Sequence, residues 1–533
     1  MARLLDLPDE IFLEVLSFTD HEAIEAFTSC CKRLYGVGRD VRTQHFERKD
    51  DYGTIVCGDV YADGTPTTHP LKILQGMIND EILFSYSTKM IILECSRDNP
   101  NEAVTHWSDT DLEQAYEKIV DEIIEAMPKV LRRSPYFGHQ EVVQDLDWIL
   151  SGAIEPVVAL LITILPNLQS IEMRNYTRSI GDDVDEILKD LVKANAALPS
   201  MRHSLPKLSS VYMYGGQTEG DGNEYEEFDR LQPYIGLPSM RHLGGSQVRG
   251  LASGVGQTRP QYKWDRSLEN FGTNITGVEF THSMIEAERF DNILESVKEL
   301  GEFKYGYDNR LSDYMDTDRS EAVGWWEPKG IIGVLLKYTS HSLVSLDLTG
   351  CTKAPAGSYY AAASFVGSLQ GFEKLERLRI DNELFVESQF EAYIACRFAS
   401  WKSPIKKSEQ EEIDRKRMVE KMHPDKNEWE YAEIQVRHAR LVARFNKQGE
   451  GQKRDRAHRL ADVLPASLVE LRLCMPFRKG IGKLLFDSFL DLKETMLPHL
   501  SKIAFEDVNT AEAKFGRACQ KLGIELEYRQ LDA

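Results

Sequence analysis

The sequence predicts a small N-terminal all-helical segment followed by an irregular α/β solenoid whose parallel strands line a horseshoe. Three observations carry that reading. Residues 4–35 place apolar side chains at helical spacing; hexads of the form apolar-x-x-apolar-x-apolar return ten times from residue 90 onward; and amphipathic stretches of helical period lie between many of them. With 42% hydrophobic residues in 533, the chain has enough apolar matter to fill a core.

At the N-terminus, Asp6 or Asp9 can cap a helix, Pro8 sits where a first turn tolerates it, and Ile11, Phe12, Val15, Leu16 and Phe18 recur at helical spacing. Thr19 and Asp20 break this helix. A second is expected from His21, with Ile24, Phe27 and Cys31 on one face and Leu34 and Tyr35 trailing, ended by Gly36 and Gly38. Two helices this short leave an apolar stripe over for another surface, either a partner or the domain behind, which they would then cap.

The pattern LP-x-E-I-(x3)-V-L-x-F from Leu7 to Phe18, then Ile24 and Cys31-Lys32-Arg33-Leu34-Tyr35, resembles an F-box over about residues 3–48. The resemblance implies that the segment docks on a Skp-type adaptor and, through it, a cullin-RING ubiquitin ligase. Carried over residue by residue, the implied adaptor contacts are Leu7, Pro8, Ile11, Val15, Leu16, Ile24, Cys31 and Leu34. One departure is visible: many F-boxes carry a tryptophan near position 46, where this chain has His45-Phe46.

The hexads begin at Met90, Leu168, Leu208, Met240, Ile275, Leu300, Leu343, Leu375, Leu468 and Leu500. From Leu168 to Leu375 the steps are 40, 32, 35, 25, 43 and 32 residues, then 93, then 32. Residues 402–459 hold 16 basic and 11 acidic side chains, and subtracting these 58 residues turns the step of 93 into 35. They are therefore expected as a charged helical insertion within one repeat. Helical stretches are expected at 112–131, 183–198, 284–300, 329–343 and 481–497, and the ten glycines of 215–256 read as loop. A lone strand cannot bury its inner face, and stacking neighbours solves that.

These units resemble leucine-rich repeats, most plainly where Leu343, Leu346, Leu348 and Cys351 fit LxxLxLxxN/C. Elsewhere the Asn or Cys position is Tyr176, Gly216, Ser283, Glu383, Pro476 or Val508, so the ladder that would satisfy the turn backbone is mostly missing. Together the two resemblances are those of a fungal-type F-box/leucine-rich-repeat substrate receptor. The division expected is an F-box at 1–48, a connecting region with a first repeat-like strand at 49–155, a leucine-rich-repeat-like solenoid at 156–401, the insertion at 402–459, and C-terminal repeats at 460–533. The competing architecture is a doubly wound α/β domain.

Strand alternation leaves Glu172, Arg174, Tyr212, Tyr214, Glu279, Thr281, Lys304, Asp347, Thr349, Arg379, Asp381, Arg472 and Glu506 facing out. Among them Arg174, Tyr212, Tyr214, Asp347, Arg379 and Arg472 are the candidate contacts for a protein substrate.

The net charge of −21 divides into +5 on the insertion and −26 on the rest, which argues against nucleic acid as a partner. The longest apolar block, 157–165, is about half what a bilayer requires, and no membrane partner is expected. The first ten residues fit neither a secretory signal nor a transit peptide. Eight scattered cysteines without a CxxC pair suggest reduced thiols in the cytoplasm or nucleus. No catalytic residue, metal ligand or cofactor is expected. MHPDKN at 422–427 resembles the loop of J-domain cochaperones, but the flanking helices do not, and 244–256 matches no nucleotide-binding pattern. The alternative functional reading is a ubiquitin-independent scaffold capped by its N-terminal helices.

Overall fold

The computed structural model describes residues 7–19, 21–58, 70–93, 110–131, 154–174, 189, 205–215, 225–250, 274–308, 328–350, 366–387, 456–457, 459–474, 486, 489–506 and 519–529. Two compact units are present. The first comprises Met1–Thr218, Asn223–Ser246 and Trp264–Ile275; the second comprises Glu219–Gly222, Gln247–Lys263 and Thr276–Ala533. The expected helices at 183–198, apart from Lys189, and almost all of the insertion, including MHPDKN and Cys351 outside it, fall outside the described residues.

In the first unit, α1 (Asp9–Ser17) begins after Pro8 with Asp9 and Glu10 in its first turn, where carboxylates meet the positive end of the helix dipole. The helices α2 (His21–Ser29) and α3 (Lys32–Val37) follow. They are two helices, where the sequence suggests one. Cys31 is extended (φ −158°, ψ 161°) and its Sγ accepts the Leu34 N–H at 3.5 Å, so it caps α3 and ends the helical run before it. Phe12, Leu16, Ile24, Thr28 and Leu34 close the core of the trio.

At Gly38, which leads into α4 (Arg39–Tyr52), a Cβ would lie 2.8 Å from Thr28 Cγ2, 3.0 Å from the Leu34 carbonyl oxygen and 3.1 Å from Leu16 Cδ1. Gly38→Ala is therefore expected to cost about 1–3 kcal/mol by overpacking. Hydrogen exchange on the full chain checks this: amides of α1–α3 should lose protection while those of the strands keep it.

The helix α4 passes through Gly53 directly into β1 (Thr54–Cys57). The strands β2 (Lys89–Ile92), β3 (Ser170–Arg174), β4 (Ser210–Tyr214) and β6 (His242–Ser246) extend the sheet, pairing in parallel in the order β1-β2-β3-β4-β6. The register aligns Ile55, Met90, Ile171, Val211 and Leu243 in one inward row. Met90 thus holds the centre of its repeat, three places later in the hexad than its spacing to Leu93 and Cys95 suggests, and buried Ser87 takes the opening position. The strands begin at Thr54, a repeat whose opening residue is Tyr52 and which the hexad pattern does not reveal.

Helices α5 (Pro70–Asn79), α6 (Leu83–Tyr86), α7 (Thr110–Leu131) and α8 (Ile154–Ile164) also belong to this unit. Val157–Ile162 are all fully or almost fully buried, so the longest apolar block is a core helix. No helix among the described residues is long and apolar enough to cross a membrane. Residues 225–250, expected as loop apart from the hexad at Met240, which forms β6, are ordered: β5 (Glu226–Glu227), a 3₁₀ turn at Phe228–Leu231, α9 (Gln232–Ile235) and β7 (Val248–Gly250) stand beside it. Gly244 and Gly245 are buried strand residues here, not turn residues.

The second unit repeats the theme. The strands β8 (Gly277–Ile285), β9 (Glu302–Tyr307), β10 (Ser345–Gly350), β11 (Arg377–Asp381), β14 (Glu470–Cys474), β15 (Lys502–Glu506) and β16 (Glu525–Arg529) pair in parallel in that order. Val278, Phe303, Leu346, Leu378, Leu471, Ile503 and Leu526 form its inward row. The opening residues Leu300, Leu343, Leu375, Leu468 and Leu500 are buried as the hexads predict. Helix α10 (Ala287–Leu294) starts later than the expected 284, because Met284 and Ile285 pair with Arg249 and Gly250 of β7 and prolong β8 across a bulge. Its Phe290 meets Phe303 and Tyr305 edge-on, with ring centroids 5.2 and 5.3 Å away. Helices α11 (Pro328–Thr339), α12 (Leu460–Val463) and α13 (Phe489–Met496) complete the unit.

Between β11 and β14 the chain runs through β12 (Val386–Glu387) and β13 (Arg456–Ala457), which pair antiparallel. β11 and β14 are themselves direct neighbours, with Leu378 opposite Leu471. The architecture is thus an N-terminal helical domain followed by parallel-stranded α/β repeats whose strand order is linear and unclosed.

Candidate docking surfaces

The N-terminal helices sort the eight residues implied as adaptor contacts into two groups. Leu16, Ile24 and Leu34 point inward with Phe12 and are buried in the domain's own core. Pro8 is exposed, Ile11 and Val15 are each 38% exposed, and Leu7 and Cys31 are half-buried. Helical geometry places Pro8, Ile11, Val15 and Phe18 on one stripe, at i, i+3, i+7 and i+10. Phe18, not among the eight, is 83% exposed, the most of any large apolar side chain among the described residues of the domain. Leu13, Tyr35 and Phe46 are also exposed. The spacing that makes Phe18 part of the helix pattern also places it on this stripe.

The stripe is held in place by polar contacts on α3. Arg33 donates to Asp9 Oδ1 at 2.6 and 3.0 Å and to the Leu7 carbonyl at 2.8 Å, tying α3 to the start of α1. The Arg42 guanidinium lies 3.4 Å from the Tyr35 ring centroid.

Behind the stripe, buried His45 on α4 joins the helices to the repeats. Its Nδ1 is 3.0 Å from the Tyr86 hydroxyl and its Nε2 is 3.1 Å from Glu25 Oε1. Hydrogen bonds from Lys49 and then from His45 hold the Glu25 carboxyl below its usual range, while burial raises the Tyr86 phenol. Arg48 donates to Asp80, and Lys207 donates to Glu22 at 2.6 Å. The position that departs from the F-box pattern is therefore a structural joint. Tyr86→Phe is expected to lower the unfolding free energy by about 1–3 kcal/mol, since a buried imidazole nitrogen loses its partner. Urea denaturation of the full chain measures it.

The six candidate substrate contacts also divide. In the second unit Arg379 donates to both carboxylate oxygens of Asp347 at 3.0 and 3.2 Å and to Glu506 at 2.8 Å. Its guanidinium thus bridges β10, β11 and β15, and the Cys474 thiol donates to the same Glu506 at 3.2 Å. Asp381 and Glu506, expected to face solvent, are buried. Asp381 accepts the Gly350 N–H at 2.5 Å, satisfying backbone at the end of β10 in the neighbouring repeat. Burial raises the Asp347 carboxyl, an effect that Arg379 opposes, and pushes the Cys474 thiol up; Arg379 stays charged. Arg472 is engaged with Glu470 at 2.9 Å.

In the first unit the outward residues Arg174, Tyr212 and Tyr214 adjoin one another across β3 and β4. Glu172 stands opposite Tyr212, and Arg174 opposite Tyr214. Arg174 is 48% exposed, donates to Glu172 at 3.0 Å, and its guanidinium lies 5.8 Å from the Tyr214 ring centroid. Lys89 of β2 pairs with the other oxygen of Glu172. Burial works to raise the Glu172 carboxyl, but hydrogen bonds from Lys89 and Arg174 outweigh it and hold the group below its usual range. Among the described residues no group of three or more His, Cys, Asp or Glu side chains could hold a metal ion.

Residues 4–43 match the F-box domain family. The chain therefore carries an F-box, the kind of domain that binds Skp-type adaptors, and the match indicates no catalytic family. No curated protein matches the chain. Among solved structures, the crystal structure of the Rad7 and Elc1 complex in yeast is similar over 92% of this chain and 96% of that chain, at 10% identity and a TM-score of 0.27. A score that low carries no argument about function.

Proposed function

We propose that the chain is the substrate-recognition subunit of a Skp-cullin-F-box ubiquitin ligase. Its F-box docks the adaptor through the stripe of Pro8, Ile11, Val15 and Phe18, its repeats hold a target protein, and other subunits transfer ubiquitin. The observation that supports this is an apolar stripe left in solvent on a domain whose core is already closed by Phe12, Leu16, Ile24 and Leu34. Burying each large side chain of such a stripe is worth about 1.5–3 kcal/mol, so leaving it exposed is costly without a partner.

An N-terminal cap, as in the scaffold reading, would bury Ile11 and Val15 against the repeats; their exposure speaks for the receptor. The described cysteines are all free thiols, which suits the cytoplasm or nucleus, and burial pushes Cys57 up to about 12 and Cys519 to about 11.

Co-expression of the full chain with a Skp-type adaptor and a cullin, followed by gel filtration, tests the proposal. A stable adaptor complex that also retains the cullin is expected. Failure to retain the adaptor overturns it, and an adaptor complex that never recruits the cullin would favour a ubiquitin-independent role.

A further inference from the structure

We propose that Arg33 is a positioning residue for the adaptor: from α3 it fixes Leu7 and Pro8 in the pose that the adaptor meets. The inference rests on the receptor reading and names the side chain that shapes the N-terminal end of that interface.

The need for such a residue comes from the start of α1. Pro8 stands at the N-cap with φ −59° and ψ 153°, and a prolyl ring offers neither an N–H nor a side-chain acceptor to close the first turn. Its carbonyl accepts the Ile11 and Phe12 N–H groups at 3.2 and 3.4 Å, at and beyond the long end of the ordinary range, so the turn itself grips Pro8 weakly. Leu7 lies one residue further out.

Arg33 supplies the grip. Its Nη2 donates to the Leu7 carbonyl at 2.8 Å and to Asp9 Oδ1 at 2.6 Å, and its Nε donates to the same oxygen at 3.0 Å. One guanidinium thus holds the residues on both sides of Pro8. The anchor is itself fixed. Leu34 beside it is buried, Cys31 caps the helix that carries both, and the guanidinium carbon lies 5.1 Å from the centroid of the Phe12 ring. A planar fork with several donors suits this task, whereas an ammonium on a flexible stem does not.

The ion pair is worth little to the fold. Arg33 and Asp9 are 42% and 56% exposed, and Phe12, Leu16, Ile24 and Leu34 close the core of the helices without them. The effect of Arg33 falls on binding instead. Without it Leu7, restricted only by the proline that follows, has to be ordered as the adaptor docks. Ordering about one residue's backbone at that moment costs about tenfold in affinity.

A double-mutant cycle on the full chain, read as affinity for a Skp-type adaptor beside thermal melts, tests the proposal. Arg33→Ala is expected to weaken binding about tenfold with a melting temperature near that of the wild type. Arg33→Lys, which keeps the charge, should weaken it about threefold and show the same dependence on Leu7 and Pro8. In a Leu7→Ala/Pro8→Ala background Arg33→Ala should weaken binding less than about twofold, because the side chains it positions are gone. A further tenfold loss in that background, or wild-type affinity in Arg33→Ala, overturns the proposal. So does wild-type affinity in Arg33→Lys, which leaves charge as the whole effect. Hydrogen exchange gives a readout without the adaptor: the Ile11 and Phe12 amides should exchange faster in Arg33→Ala while those of α2 do not, and unchanged exchange overturns the proposal. A wild-type chain that never holds the adaptor brings down the receptor reading as well. Any of the preceding overturning results, with wild-type binding intact, leaves that reading standing.

Discussion

Ile11→Asp/Val15→Asp is expected to abolish adaptor retention while the full chain remains folded. Both side chains are 38% exposed on α1, so aspartate there meets water in the free protein and costs the fold little. In the complex the same positions would be desolvated. Losing two aliphatic anchors at about 1.5–3 kcal/mol each, and burying carboxylates in their place, amounts to a weakening of about a thousandfold or more. Leu16→Asp makes the contrast: it also removes adaptor binding, but by unfolding the F-box core, and it should lower the melting temperature where the double variant does not. Pull-down of the adaptor with both variants, beside thermal melts, separates the two outcomes. Wild-type retention by Ile11→Asp/Val15→Asp would remove the stripe from the interface.

The second large effect concerns Arg379. Arg379→Ala leaves the carboxylates of Asp347 and Glu506 partly or wholly buried without their shared cation, an imbalance that costs about 3–5 kcal/mol when a buried pair is broken. Arg174→Ala, by contrast, removes a half-exposed cation from a carboxylate that Lys89 still holds, and should cost less than about 1 kcal/mol. The pH dependence has a definite sign. The Asp347 carboxyl is already raised above its ordinary 3.8 in the folded chain, so its ionisation opposes folding. The stability this group allows is complete below the unfolded value and is lost as pH rises through the folded one. Removing Arg379 raises that folded value further, so the penalty of Arg379→Ala should shrink as pH is lowered from 8 toward 5. Urea denaturation at several pH values checks both claims, and a penalty that grows on acidification would reverse the assignment.

These residues also show how far the sequence alone reaches. Burial of apolar side chains repeats with the strand period, so the opening and central positions of the hexads from Leu168 onward were legible, as were α1 and the F-box pattern. The first and last strands escaped because Tyr52 and Gly523 stand where the pattern wants an aliphatic residue. The break between α2 and α3 escaped because a cysteine thiol, not a serine or aspartate, makes the cap. Among candidate contacts, alternation correctly assigns Arg379 and Asp347 to the outward face, but the partner of an outward charge lies two strands away in space and more than a hundred residues away in sequence, as Glu506 does. Alternation separates the faces of a strand; it does not say which outward groups have already found one another.

The antiparallel pair of β12 and β13 has a consequence for how this chain can vary. Val386–Glu387 and Arg456–Ala457 close the chain on itself at a single clasp, while the register of β11 against β14 is fixed by residues outside it. The entropy of closing a loop grows only by about 0.6 kcal/mol for each doubling of its length. By that measure the strands on either side, whose register does not depend on the clasp, bear a change in the length of the connection between them at small thermodynamic expense.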